Sequence, residues 1–382
     1  MTPPEPRRLR VGVSPPYSLY IGSGSIRSLP AWLKRRRLAE RYALVTDSAV
    51  AGLHSRPLLD ALAASGIRTD AFVFEAGESH KTRATKEKIE DGMLAAGLGR
   101  DAAVIALGGG VVSDLAGFVA ATYLRGIPSV LIPTTLLAMV DASIGGKTGV
   151  DSPHGKNLIG AFHHPSEVFM DTDYLATLPD RQIRSGLAEA IKAGVIRDAG
   201  LFEMIRSQMP RLLARDVHVM TEAIWRACSV KAEVVAADEK EGDLRKILNF
   251  GHTIGHALEM LSGYTLPHGE AISIGMVAEA RMAVKAGLLA PEAAAAIEAT
   301  LEAAGLPARL PAATPRGWKG ISPEEILEAA RADKKARQGR IAYALPSGLG
   351  TMATTDAGFG ILLDDAIAAD VLAGMRETAP AG

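Results

Sequence analysis

The chain reads as an α/β domain built on a parallel sheet, followed by a mainly helical domain. Short apolar β-type runs alternate with helical segments through the first half. From about Asp180 onward, Ala, Glu, Leu and Met dominate at helical spacing. The 382 residues, 48% of them hydrophobic and 22% charged, carry enough apolar material for roughly two domains of ordinary size.

Residues 42–46, 71–74, 103–107 and 129–132 are buried-strand candidates. Between them, 58–64, 85–96 and 111–124 carry helical periodicity. Strand–helix alternation of this kind predicts a parallel sheet covered by helices on both faces. Residues 9–13 and 17–21, around Pro15-Pro16, add an edge hairpin. In the second half, 181–196, 218–239, 245–261, 270–286 and 291–304 are expected helices, the last including the alanine patch 293–296, and 341–345 is a late strand. The boundary is placed near 177–180, giving domains 1–177 and 178–382.

A formal net charge of −1 offers no bulk field for nucleic acid or an anionic membrane. Aromatics at 5% argue against base-stacking platforms. The single cysteine, Cys228, excludes an intramolecular disulfide and suits a reducing, cytoplasmic setting, so a metal would be held by His and carboxylates. The first ten residues hold no apolar signal region, and no uncharged apolar run is long enough to span a bilayer.

Three segments carry chemistry. Ala103-Val-Ile-Ala-Leu107 runs into Gly108-Gly109-Gly110 and a helix bearing Asp114. Glycines let backbone amides approach a phosphate, and a helix N-terminus attracts an anion. A plain strand-to-helix turn would read the same, with Asp114 as a first-turn acid. Gly145-Gly146-Lys147 and Gly155-Lys156-Asn157 make a cationic, flexible segment suited to a phosphorylated ligand, although Asp141 stands where a Walker A motif needs glycine. A solvated loop is the alternative. His252 and His256 are spaced i, i+4 on one helix face, and by spacing alone they are the two histidine ligands of a metal. Glu189 and Lys192 are paired at i, i+3, and His268 precedes another helix. His54, His80, His154, His163, His164 and His218 read as loop or surface residues.

Taken in order, these stretches resemble the 3-dehydroquinate synthase family. The carriers are Gly77-Glu78-Ser-His-Lys81, Gly108 to Asp114, Tyr123-Leu-Arg125-Gly126, Pro133-Thr134-Thr135-Leu136, Gly145-Gly-Lys147, Gly155-Lys-Asn157, Gly186 to Lys192, Arg245 to His256, His268-Gly-Glu270 and Asp333-Lys334-Lys335. The resemblance implies a Rossmann-like N-terminal domain and a helical C-terminal domain, a fold shared with glycerol dehydrogenase, with a cleft between them. It implies NAD and Zn2+, or Co2+, as cofactors, and it moves the ligand set to Glu189, His252 and His268, leaving His256 on the substrate side. Asp47, Glu78 and Lys81 would meet the adenosine ribose. Gly109, Gly110 and Asp114 would meet the pyrophosphate, with Thr134 and Thr135 nearby, and Asp141, Lys156 and Asn157 would approach the nicotinamide.

Lys231 and Arg245 match substrate-carboxylate positions. Lys147, Asn157, Asn249, His256 and one lysine of Lys334-Lys335, with Lys335 carried forward, match phosphate positions. Asp141 and Lys192 would face substrate hydroxyls, and Arg125 matches a residue supplied by a neighbouring subunit, implying a homodimer. The implied reaction converts 3-deoxy-D-arabino-heptulosonate 7-phosphate to 3-dehydroquinate and phosphate. It proceeds by transient oxidation with NAD, β-elimination, re-reduction and aldol closure. The rivals are a sister sugar-phosphate cyclase, a metal-dependent alcohol dehydrogenase and a non-catalytic descendant. Ala190 and His164 depart from the family pattern without touching an assigned role.

Overall fold

The computed structural model describes residues 6–310, 321–332 and 341–376. The chain divides into two compact units, one made of residues 1–183 and 215–236, the other of 184–214 and 237–382.

The first unit holds a seven-stranded sheet in the order β1 (Arg7–Val11), β2 (Tyr17–Ile21), β9 (Glu167–Met170), β6 (Ser129–Pro133), β5 (Ala102–Gly108), β3 (Arg41–Asp47), β4 (Thr69–Phe74). Every pairing is parallel except β1 with β2, which forms the expected edge hairpin. β5 and β6 are buried at every position because helices cover both faces, and this is why they read as unbroken apolar runs. On one face Leu44, Ile105, Leu107 and Ile132 meet Leu29, Trp32 and Leu33 of α1 (Leu29–Arg36) and Leu58 and Leu62 of α3 (Arg56–Ala64). The single-turn α2 (Ser48–Val50) lies between them in sequence, and α4 (Arg83–Ala95) and α5 (Gly110–Thr122) complete the α/β alternation. The chain passes from β3 out to β4 and returns to β5 on the other side of β3. A topological switch point therefore lies between the carboxyl ends of β3 and β5, where open α/β sheets take their ligands.

Two expectations are corrected in this unit. The Gly-Lys segment is not one flexible loop: β7 (Lys147–Ser152) and β8 (Gly155–Phe162) pair as an antiparallel ribbon. Gly149 faces Gly160, and a Cβ at Gly160 would sit 1.9 Å from the Thr148 carbonyl oxygen, so the glycines here serve close strand approach. The placement of all of 178–382 in one helical domain also fails. Most of α8 (Val217–Ala237) belongs to the sheet unit. There the Arg7 guanidinium lies 4.1 Å from the centre of the Trp225 ring, and Cys228 Sγ donates to the Met139 carbonyl.

The second unit is built on α6 (Asp180–Arg197, from Arg184), α7 (Ala199–Leu213), α9 (His252–Leu261), α10 (His268–Lys285), α11 (Pro291–Ala303), α12 (Pro323–Ala332) and α13 (Asp365–Ala373). Two short strand pairs accompany them, so the late strand shrinks to Ala342–Tyr343. The expected helix 245–261 is broken. Leu244–Asn249 is a 3-10 segment, and Gly251, at φ +78, resets the chain before α9. A side chain at Gly251 would meet Met276 Cγ at 2.5 Å, so only glycine fits both the backbone and the space. Among the described residues, no helix is long and apolar enough to cross a membrane.

Candidate active site

Three helices of the second unit bring Glu189 (α6), His252 (first residue of α9) and His268 (first residue of α10) together, with one ligand atom from each within 4.8 Å of the others. Glu189 Oε1 lies 3.3 Å from His252 Nε2 and 3.2 Å from His268 Nε2. Bonds of about 2.0–2.1 Å in a tetrahedral Zn2+ site place ligand atoms about 3.3 Å apart, so these two edges fit a dication. The far nitrogen of each ring is held: His252 Nδ1 faces the Phe250 carbonyl at 3.1 Å, and His268 Nδ1 faces Glu259 Oε2 at 3.4 Å. Acceptors there keep the proton on Nδ1 and turn the Nε2 lone pair toward the common centre.

The electrostatics agree. Burial alone would raise the Glu189 carboxyl, but the adjacent Lys192 ammonium and the two imidazoles hold it well below the usual carboxylate range. Burial and the Lys192 charge push His252 down to about 3 against the pull of Glu189. Burial also opposes charge on His268, yet the Glu259 charge and the hydrogen bonds its ring donates to Glu189 and Glu259 raise it to about 10.

His256 does not join this set. Its ring centre is 5.2 Å from that of His252 and 6.2 Å from that of His268, and its ligand atom groups instead with Glu259 and His268. Nearby in the same unit, Arg245 is 2% exposed. Its backbone N–H donates to Asp238 Oδ2 (2.9 Å) and its Nη1 to the Glu239 carbonyl (2.6 Å). Asn249 Nδ2 reaches Glu241 Oε1 at 3.4 Å. Lys335 lies outside the described residues.

The first unit carries the other named residues. Gly109 and Gly110 stand at the carboxyl end of β5, where α5 begins without a side-chain cap, leaving its first N–H groups for an anion. A Cβ at Gly109 would press on Thr135 at 3.1 Å, so the backbone approaches that threonine closely. Thr134 N–H donates to the Gly108 carbonyl (2.9 Å), and Thr135 Oγ1 accepts from Ala138 N–H (3.1 Å). Asp47, at the end of β3, accepts from Val50 N–H (2.9 Å) and so also caps α2. Lys81 is buried and donates to Asp114 Oδ2 and Asn157 Oδ1, both at 2.5 Å. Burial pushes the Asp114 carboxyl up against the pull of Lys81, while Asp114 and Glu78 outweigh burial to keep Lys81 protonated. Lys156 Nζ is 3.6 Å from Glu78. Lys231 Nζ donates to both the side chain and the carbonyl of Asp141, each at 2.6 Å. Lys147 and Arg125 are exposed, and Arg125 sits at φ 74 in a turn with Leu124 at φ 48.

Sequence reasoning missed Glu259 and Glu279, two buried acids on the histidine helices α9 and α10. Acidic residues at helical spacing read as surface, and only their burial distinguishes them. Three of the histidines set aside as bland have ordinary partners: His163 meets the Ile127 carbonyl, His164 stacks on Tyr17, and His54 meets Thr177.

Family models described as 3-dehydroquinate synthase N-terminal and 3-dehydroquinate synthase C-terminal match residues 71–185 and 186–336, more than half of the chain. A 3-dehydroquinate synthase of Synechococcus sp. is 47% identical over 345 residues, 89% of this chain and 92% of that protein. Among solved structures, 2-deoxy-scyllo-inosose synthase complexed with carbaglucose-6-phosphate, NAD+ and Co2+ matches with a TM-score of 0.87 at 25% identity, over 97% of this chain and 100% of that one. The 2-epi-5-epi-valiolone synthase of Streptomyces hygroscopicus subsp. jinggangensis 5008, with NAD+ and Zn2+ bound, matches with a TM-score of 0.84 at 30% identity, over 94% and 96%.

Proposed function

The chain belongs to the 3-dehydroquinate synthase family, and from that premise we infer that it converts 3-deoxy-D-arabino-heptulosonate 7-phosphate to 3-dehydroquinate and phosphate, with NAD and Zn2+ or Co2+ as cofactors. The observation that carries the chemistry is the convergence of Glu189, His252 and His268 at tetrahedral spacing. A metal held by Glu189, His252 and His268 would supply Lewis acidity toward a substrate hydroxyl, and NAD held by the sheet unit would supply a reversible hydride acceptor for its carbon, the chemistry that would let phosphate leave by elimination.

The protein's own residues hold, orient and charge-match the substrate. Lys192 keeps Glu189 ionised as a ligand. Arg245, buried and fixed at two points, offers a planar fork to the substrate carboxylate. His256, beside the ligand pair but outside it, hydrogen-bonds phosphate or carries a proton. Asn249 and Lys335 serve the phosphate. In the sheet unit, Lys147 and Asn157 have the same task, and Asp141 presents Lys231 for the carboxylate and itself faces a hydroxyl. Asp47, Glu78 and Lys81 take the adenosine ribose. Gly109, Gly110, Asp114, Thr134 and Thr135 take the pyrophosphate, and Lys156 and Asn157 the nicotinamide end. The enzyme is a carbon–oxygen lyase of the cytoplasm and works as a homodimer, in which Arg125 serves the neighbouring subunit's substrate.

Metal-loaded protein given the heptulosonate phosphate and catalytic NAD should release phosphate and dehydroquinate in equal amounts with no net NADH. Accumulating NADH would point to an alcohol dehydrogenase. Phosphate released only from a sugar phosphate without a carboxylate would point to a sister cyclase.

A further inference from the structure

We propose that α9 and α10 position each other's metal-binding histidine through two crossed, buried carboxylates, Glu259 and Glu279. This rests on the ligand assignment proposed above. α9 carries His252 and, seven residues on, Glu259; α10 carries His268 and, eleven residues on, Glu279. Seven and eleven residues are about two and three helical turns, so each acid shares a face with its own helix's histidine. Each nevertheless serves the other helix. Glu259, 2% exposed, sits with Oε2 3.4 Å from Nδ1 of His268. Glu279, with no exposure, accepts from Gly251 N–H (2.7 Å) and Ile254 N–H (3.3 Å), the backbone groups on either side of His252.

The crossing has a physical reason. Gly251 gives α9 no side chain to cap its own first turn, so the carboxylate of α10 supplies the cap and its negative charge at the helix N-terminus. The helices can come that close because Gly275 faces Gly251, where a Cβ would lie 2.0 Å from the Gly251 carbonyl oxygen. Glu259 sets the tautomer and tilt of His268, and Glu279 sets the position of the turn that begins with His252. Both are positioning residues, acting through the histidines.

The test uses the full chain with Co2+, reading affinity by chelator competition and ligand geometry by the visible absorption band. Glu259→Gln and Glu279→Gln should each weaken Co2+ binding by about 10–100-fold and shift the band. Glu298→Gln, which breaks the Arg281–Glu298 pair between α10 and α11, should lower the unfolding temperature measured in chelator and leave the band unchanged. If Glu259→Gln and Glu279→Gln only lower that temperature, with parental affinity and band, the acids are structural and the proposal is overturned. Should Glu279→Gln not accumulate as folded protein, Glu259→Gln decides alone, since the crossing needs both directions. Parental Co2+ affinity in His268→Ala would instead overturn the ligand assignment on which the proposal rests.

Discussion

At the scale of single residues, the histidine pair is the instructive case. Spacing alone favours His252 with His256, because i, i+4 neighbours share a helix face. The chain instead turns His268 and Glu189 toward His252 from two other helices, which no local pattern encodes. The two readings separate cleanly on substitution. His252→Ala and His268→Ala should lose stoichiometric zinc in metal analysis after gel filtration. His256→Ala should keep it while kcat falls by about 10²–10⁴-fold, the usual range for a proton-transfer group. Asp238 offers a pH test. Its partial burial would raise its pKa, but backbone N–H groups of Arg245, Gly242 and Asp243 outweigh this and lower it. A depressed folded-state pKa stabilises above the unfolded value, near 3.9, and that contribution is lost as pH falls through the folded value. Urea midpoints of the parent and of Asp238→Asn should therefore differ at pH 6 and converge below about pH 4. A gap that stays constant with pH would remove Asp238's charge from the account of the Arg245 turn.

At the scale of elements, the sheet strands were readable because burial on both faces leaves continuous apolar runs in β3, β5 and β6. The β7–β8 ribbon was not, since Gly149 and Gly160, which permit its close pairing, are the same residues that signal a loop. α7 was legible in principle: Asp198 caps it, and Leu201, Phe202, Ile205, Met209 and Leu212 form its buried stripe. The break between Asn249 and His252 depends on Gly251, whose left-handed backbone and close contact with α10, where a Cβ would lie 2.9 Å from the Ile272 carbonyl oxygen, both require glycine. Gly275→Ala should push that helix pair apart at a cost of about 1–3 kcal/mol in chemical denaturation, with weakened metal binding. An unaffected variant would mean that the contact is loose.

For the whole molecule, composition and periodicity gave the two architectures but not the division between them. α8 looks like the rest of the helical half, yet Cys228 and Lys231 meet Met139 and Asp141, partners about ninety residues away in sequence. Contacts at that distance leave no periodic trace. The metal ties stability to function. At free Zn2+ near 100 times its Kd, unfolding should become about 2.7 kcal/mol harder, and the gain should vanish in Glu189→Ala. The most direct measurement is anomalous diffraction at the zinc edge from crystals of the zinc-loaded protein. The expected result is one strong peak about 2.0–2.2 Å from Glu189 Oε1 and from Nε2 of both His252 and His268. A peak bound elsewhere, or none at that centre with zinc at saturation, would contradict the metal site on which the chemistry rests.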